Sequence, residues 1–89
     1  MRAIVTVIGK DRVGIIAAVC SLLAEQNVNV LDISQTVLQE YFTMIMLVDA
    51  ANCKLPFAEL AARLDEAGKA QNLTIHAQRE DIFNAMHRI

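Results

Sequence analysis

The hydrophobic pattern changes its period twice between Arg2 and Val30. Arg2 to Ile8 is an almost unbroken run of apolar and β-branched residues that stops at Gly9, which reads as a buried central strand. From Val13 to Gln26 the apolar residues recur at helical spacing. From Val28 to Leu38 they alternate: Leu31, Ile33 and Val37 fall on one face, Asp32, Ser34 and Thr36 on the other. A strand, a helix and a second strand joined by short turns leave the helix one place to go, across the face of the sheet, in a right-handed crossover.

The helix itself is apolar around most of its circumference. Val13, Ile16, Ala17, Cys20, Leu23 and Ala24 form a stripe that is expected to be its core face, with Asp11, Gly14, Ser21 and Glu25 on the wetter side. Ile15, Val19 and Leu22 widen the apolar arc, so the helix needs neighbours on two sides.

The remaining chain repeats the theme. Gln39-Glu40 is the expected turn into a third strand, Tyr41 to Val48, whose Phe42, Met44, Met46 and Val48 share a face; so short a connection implies an antiparallel hairpin. Asp49 to Lys54 reads as a loop, and Pro56 suits the first position of a second helix, where its missing N–H costs nothing. Phe57, Leu60, Ala61, Leu64 and Ala67 give that helix its stripe, and Glu59 with Arg63 and Asp65 with Lys69 are i,i+4 charge pairs on its outer side. The helix is expected to fray between Gly68 and Asn72. Leu73, Ile75 and Ala77 alternate with Thr74, His76 and Gln78 in a fourth strand, and Ile82, Phe83, Met86 and Ile89 mark a short terminal helix with an apolar side to dock on the domain or on a partner. The order β-α-β-β-α-β is that of an α+β, ferredoxin-like fold: a four-stranded antiparallel sheet with two helices on one face, the second and fourth strands at its edges.

Residues 1–89 form one domain with one small, aliphatic core, since hydrophobic residues make up 55% and aromatic residues only 4%. A mean hydropathy of +0.38 is high for so short a chain and points to apolar surface buried between subunits, hence a homodimer. No apolar run approaches the ~18 residues of a membrane span and no leader-like segment opens the chain, so a cytoplasmic protein with no membrane partner is expected. A net charge of −2 argues against a nucleic-acid surface. Cys20 and Cys53 stand far apart outside any C-x-x-C pair, and His76 and His87 have no companion at zinc-ligand spacing. No metal and no cofactor are expected.

Chemistry concentrates at the two turns around the first helix. Gly9 lets the backbone leave the strand sharply, Asp11 can cap the helix with its carboxylate, and Gly14 leaves room beside the helix start. The free N–H groups and positive dipole end there suit an anion. Asn29 opens the second strand with both donors and acceptors. Gly9 to Gly14 has the glycine spacing of a phosphate-binding loop, but Ile15-Ile16 stand where that motif needs Lys and Ser or Thr, and G-x-G-x-x-G is absent. Asp11, Gly14 and Asn29 are therefore the candidate ligand-binding residues of a small-molecule site; a plain strand–helix turn with an Asp cap is the alternative.

Gly9-Lys10-Asp11-Arg12-Val13-Gly14-Ile15-Ile16, Ala17-Ala18-Val19, Leu22-Leu23-Ala24-Glu25-Gln26 and Asn27-Val28-Asn29-Val30 resemble an ACT domain. The family pattern has Asp or Asn, a basic residue, often Pro, then Gly, and later a Gly-Val-Asn-Ile-like segment; here Val13 replaces Pro and Asn27 replaces Gly, and Asn tolerates the left-handed conformation of a helix end. The resemblance spans the whole chain. Asp32-Ile33-Ser34-Gln35-Thr36, Glu40-Tyr41-Phe42-Thr43-Met44, Ile82-Phe83 and Ala85-Met86 are similar to a narrower group of small stand-alone ACT proteins, with regulators of the glycine-cleavage repressor kind as the nearest functional relatives. The resemblance implies an amino-acid-binding regulatory domain, with the site between two copies, acting on a partner protein, and it places ligand contacts on Asp11, Gly14 and Asn29. An Asn at position 11 would bond a ligand carboxylate; the Asp11 carboxylate suits an amino group or a helix cap.

Other functions fare worse. No nucleophile–base–orienter set and no paired carboxylates appear, so no enzyme is expected. An RNA-recognition sheet needs aromatic and basic residues where only Tyr41 and Phe42 are aromatic. A metal chaperone on this fold needs a cysteine pair in its first loop. The competing reading is a ligand-free dimerisation module.

Overall fold

The computed structural model describes residues 1–86. The elements are β1 (Arg2–Lys10), α1 (Ile15–Glu25), β2 (Asn29–Leu38), β3 (Tyr41–Asp49), α2 (Phe57–Ala70), β4 (Leu73–Arg79) and α3 (Glu80–Met86). The four strands form one antiparallel sheet in the order β2-β3-β1-β4, the ferredoxin-like topology, with β2 and β4 at its edges.

One face of the sheet carries the core. Ala3, Val5 and Val7 from β1, Phe42, Met44, Met46 and Val48 from β3, and Leu73, Ile75 and Ala77 from β4 point toward the helices and are buried. Ile15, Val19 and Leu23 of α1 and Leu60 and Leu64 of α2 close over them. The stripe of α1 is thus one position out of phase with the expected face. Leu23 and the half-buried Cys20 keep their inward role, but Val13 is 99% exposed and Ile16 37%. A helix apolar on nearly every side carries no periodic signal strong enough to fix its rotation, so tertiary packing sets it.

Three local expectations also change. Gly9 does not end β1; it pairs with both Phe42 and Leu73 inside the sheet. It is glycine because a Cβ there would collide with the Leu73 side chain and come within 3.3 Å of the Asn72 carbonyl. Asp11 does not cap α1. The N-cap is Gly14, at φ 92°, and it offers no side-chain bond. Pro56 likewise sits one step early, as N-cap rather than first residue of α2, its carbonyl accepting from the N–H groups of Glu59 and Leu60.

Among the described residues, three other than glycine hold positive φ: Asn27 at 61° after α1, Asn72 at 59° after α2, and Gln39 at 55° in the hairpin turn. The two asparagines turn the chain from helix to strand, Asn27 as expected, for Asn tolerates this region better than most residues. Asp65 and Lys69 pair at 3.2 Å, whereas among the described residues Glu59 and Arg63 form no ion pair.

β2 differs most from its sequence pattern. A bulge at Leu31 breaks the register, so Val30, Ile33, Gln35 and Val37 share the helix-side face, opposite Val48, Met46, Met44 and Phe42. Helix α1 does not reach far enough to cover them. Ile33 is 39% and Val37 52% exposed, and only Val30 in this strand is even half-buried. Alternation foretold a strand with one covered face; in a single copy both faces of β2 are open. At the other end, α3 is tied by an Arg2–Glu80 ion pair at 2.7 Å, with Ile82 exposed. The side chains of Phe83 and Met86, together with His87 and Ile89, lie outside the described residues.

Candidate functional site

The register Gly9↔Phe42 and Val37↔Phe42 brings the β1–α1 turn beside the β2–β3 hairpin. A 2.7 Å bond from the Asp11 N–H to the Glu40 carbonyl fastens the two. Between them lies an open groove of ≈ 550 Å³, bounded by Asp11, Arg12 and Gly14 on the turn, Ile15, Ile16 and Ala17 on the helix, and Gln35, Val37 and Phe42 on the sheet.

Apart from Gln35 its walls are apolar, and its charged groups gather at the turn. The first intrahelical bond runs from Ala18 N–H to the Gly14 carbonyl at 2.9 Å, so the N–H groups of the preceding helical residues have no carbonyl a turn behind them. No side chain caps them. Gly14 reaches φ 92° at no steric cost, and a Cβ there would meet nothing within 4 Å, so the space beside the helix start is open. Arg12 turns away: its guanidinium donates to the Gln71 carbonyl at 3.2 Å and to Gln71 Oε1 at 3.0 Å, pinning the turn to the end of α2. The charged group left at the mouth is the Asp11 carboxylate. The groove therefore offers an acceptor for a cation, backbone donors for an anion, and an aliphatic wall.

Asp11 and Gly14 stand together as the sequence suggested. Asn29 does not join them within one chain. It pairs with Asp49, at the opposite end of β2 from Val37, and eight residues of strand span about 26 Å. Gln35, Val37 and Phe42 were missed as lining residues. The Leu31 bulge, which turns Gln35 inward, leaves no mark in the alternation.

A larger groove of ≈ 580 Å³ runs between α1 and α2, with Leu22, Leu60 and Leu64 at its base and Glu25, Arg63 and Glu66 at its rim. Among the described residues no three His, Cys, Asp or Glu side chains gather to hold a metal ion. No described helix is long and apolar enough to cross a membrane.

The family model of the ACT domain matches residues 2–78. The chain belongs to the ACT domain family. A UPF0237 protein of Clostridium acetobutylicum is 56% identical over 89 residues, covering 100% of both chains. An ACT domain protein from Streptococcus pneumoniae has the same fold, with a TM-score of 0.83 and 45% identity over 98% of each chain. A crystal structure assigned as a glycine cleavage system transcriptional repressor superposes with a TM-score of 0.73 at 23% identity, covering 86% of this chain and 44% of that one, a likeness of fold alone. ACT domains typically bind small-molecule ligands such as amino acids, regulate, and often dimerise.

Proposed function

We propose that this ACT domain is a regulatory sensor that binds an amino acid in the Asp11–Gly14 groove and acts on a partner protein as a homodimer. The observation that carries the reading is the groove's split polarity. An α-amino acid bears an ammonium and a carboxylate on one carbon. The Asp11 carboxylate suits the ammonium, the uncapped N–H groups at the start of α1 suit the carboxylate, and Ile16, Val37 and Phe42 suit an aliphatic or small side chain.

The second copy enters through β2. Its outer edge is unpaired, and Ile33 and Val37 beside it are exposed. An edge of this kind recruits another strand. Antiparallel pairing of two β2 edges about a two-fold near Ser34 extends the sheet and covers that apolar strip. It also carries Asn29 of one copy to the hairpin end of the other, beside the Asp11–Glu40 contact. The candidate site would then be composite, with Asp11 and Gly14 from one chain and Asn29 from its partner.

A thermal-shift screen against the twenty amino acids tests this directly, because a native-state ligand stabilises by mass action. At least one amino acid should raise the midpoint, and Asp11→Asn should weaken its binding by removing the ammonium partner. No shift with any amino acid would favour the ligand-free dimerisation module.

A further inference from the structure

The sheet face turned away from α1 and α2 is neutral at its centre. Strand register lines it with three cross-strand rows: Thr36–Thr43–Ile8–Thr74, Ser34–Ile45–Thr6–His76 and Asp32–Leu47–Ile4–Gln78. On the two central strands these positions hold only Ile, Leu and Thr. Ile8 is 46% and Ile45 47% exposed. Among the described residues, charges stand only at the ends and one edge: Lys10 beyond the first row, Arg2, Asp49 and Glu80 beyond the last, Asp32 on β2. Solvated faces of antiparallel sheets alternate to polar residues, whereas strands apolar on both faces belong in sheets covered on both sides.

We propose that this face docks on the same face of a second copy, sheet against sheet at about 10 Å. Four strands at ~4.8 Å spacing and nine residues at ~3.3 Å give a face of roughly 19 × 30 Å. With side-chain relief that approaches the ~800 Å² per partner of a standard interface. The face is also self-complementary. A two-fold axis along the Ser34–Ile45–Thr6–His76 row sets Ile8 against Ile4 of the second copy and Thr43 against its Leu47. The same axis sets Lys10 opposite Arg2 of the second copy, whose charge Glu80 already engages at 2.7 Å, with Asp49 on the neighbouring strand. Asp32 then meets Thr36 rather than another charge.

The choice of axis rests on the β2-edge pairing proposed above, whose two-fold stands normal to the sheet near Ser34. Two-folds that meet at a right angle close four copies into a D2 tetramer, where axes that missed each other would build an open array.

Sedimentation velocity on the wild type, Ile45→Lys and Ile45→Thr (face) and Ile33→Lys (edge) decides, with circular dichroism confirming each fold. The expected wild-type mass is four times 9.8 kDa, 39.2 kDa. Ile45→Lys should halve it. Ile45→Thr, which keeps a β-branched residue like its neighbours, should weaken tetramer formation tenfold or more. Ile33→Lys, with two ammonium groups beside the edge axis, should also give two-chain particles, and the double variant monomers. A wild type of 19.6 kDa, twice 9.8 kDa, that Ile33→Lys splits and neither Ile45 variant alters would overturn the face contact and leave the edge reading standing. Particles split by the Ile45 variants but untouched by Ile33→Lys would support the face contact and remove the edge pairing.

Discussion

Gly14→Ala isolates a single physical effect. The residue sits at φ 92°, ψ 1°, and its Cβ would meet nothing within 4 Å, so neither a clash nor a new contact enters the comparison. What remains is the cost of holding an L-residue with a side chain in left-handed space, about 1–2 kcal/mol. Working against it, alanine restricts the unfolded chain, which by itself would stabilise by ~0.4–1 kcal/mol. The net expectation is a loss of up to about 1.6 kcal/mol, centred near ~0.8 kcal/mol, with Gly14→Asn losing less because Asn visits this region more readily. Urea unfolding at fixed protein concentration measures it, the midpoint falling with the slope unchanged. A Gly14→Ala protein more stable than the wild type would refute the reasoning, because it would mean that the turn does not hold a positive φ.

Three further outcomes follow from the same geometry. Met46→Ala, at a fully buried position under both helices, should cost about 2–5 kcal/mol in urea unfolding. Gly9→Ala should destabilise by overpacking against Leu73 and the Asn72 carbonyl, and Leu73→Ala in the same chain should cost less than it does alone. The hydrogen bond from the Ala51 N–H, then that from the Met1 amino group, hold the Asp49 carboxyl below its usual range. A lowered folded pKa contributes stability above the unfolded value that fades as pH falls through the folded one, so the stability difference between wild type and Asp49→Asn should shrink in acid below about pH 4.

Much of the fold is readable residue by residue. The runs Arg2–Ile8 and Tyr41–Val48 mark the two central strands, and Asn27 announces the turn from helix to strand. What escapes is decided by partners distant in sequence. Ile15, Ile16, Ala17, Ala18 and Val19 are all apolar, so only the sheet beneath selects Ile15 and Val19 for burial. Gly9 is required by Leu73, which lies across a strand pair. Asp11 resembles a cap, but the Gly14 conformation starts the helix later. The site is half legible for the same reason: Asp11 and Gly14 share a turn, while Gln35, Val37 and Phe42 reach the groove through hairpin register. Asn29 would meet them only through a second chain.

Mixing two defective chains tests that composite site. Gly14→Val narrows the groove in its own chain, and Asn29→Ala removes polar contacts, each worth about 0.5–1.5 kcal/mol. Each variant alone should bind the amino acid identified by thermal shift several-fold more weakly than the wild type. In an exchanged one-to-one mixture, each heterodimer pairs an intact Gly14 from one chain with an intact Asn29 from the other, restoring one of its two sites. Calorimetric titration of that mixture should recover wild-type affinity at about a quarter of the wild-type stoichiometry, since roughly half of randomly exchanged dimers are mixed. A mixture that binds no better than its two components would contradict a site shared between chains.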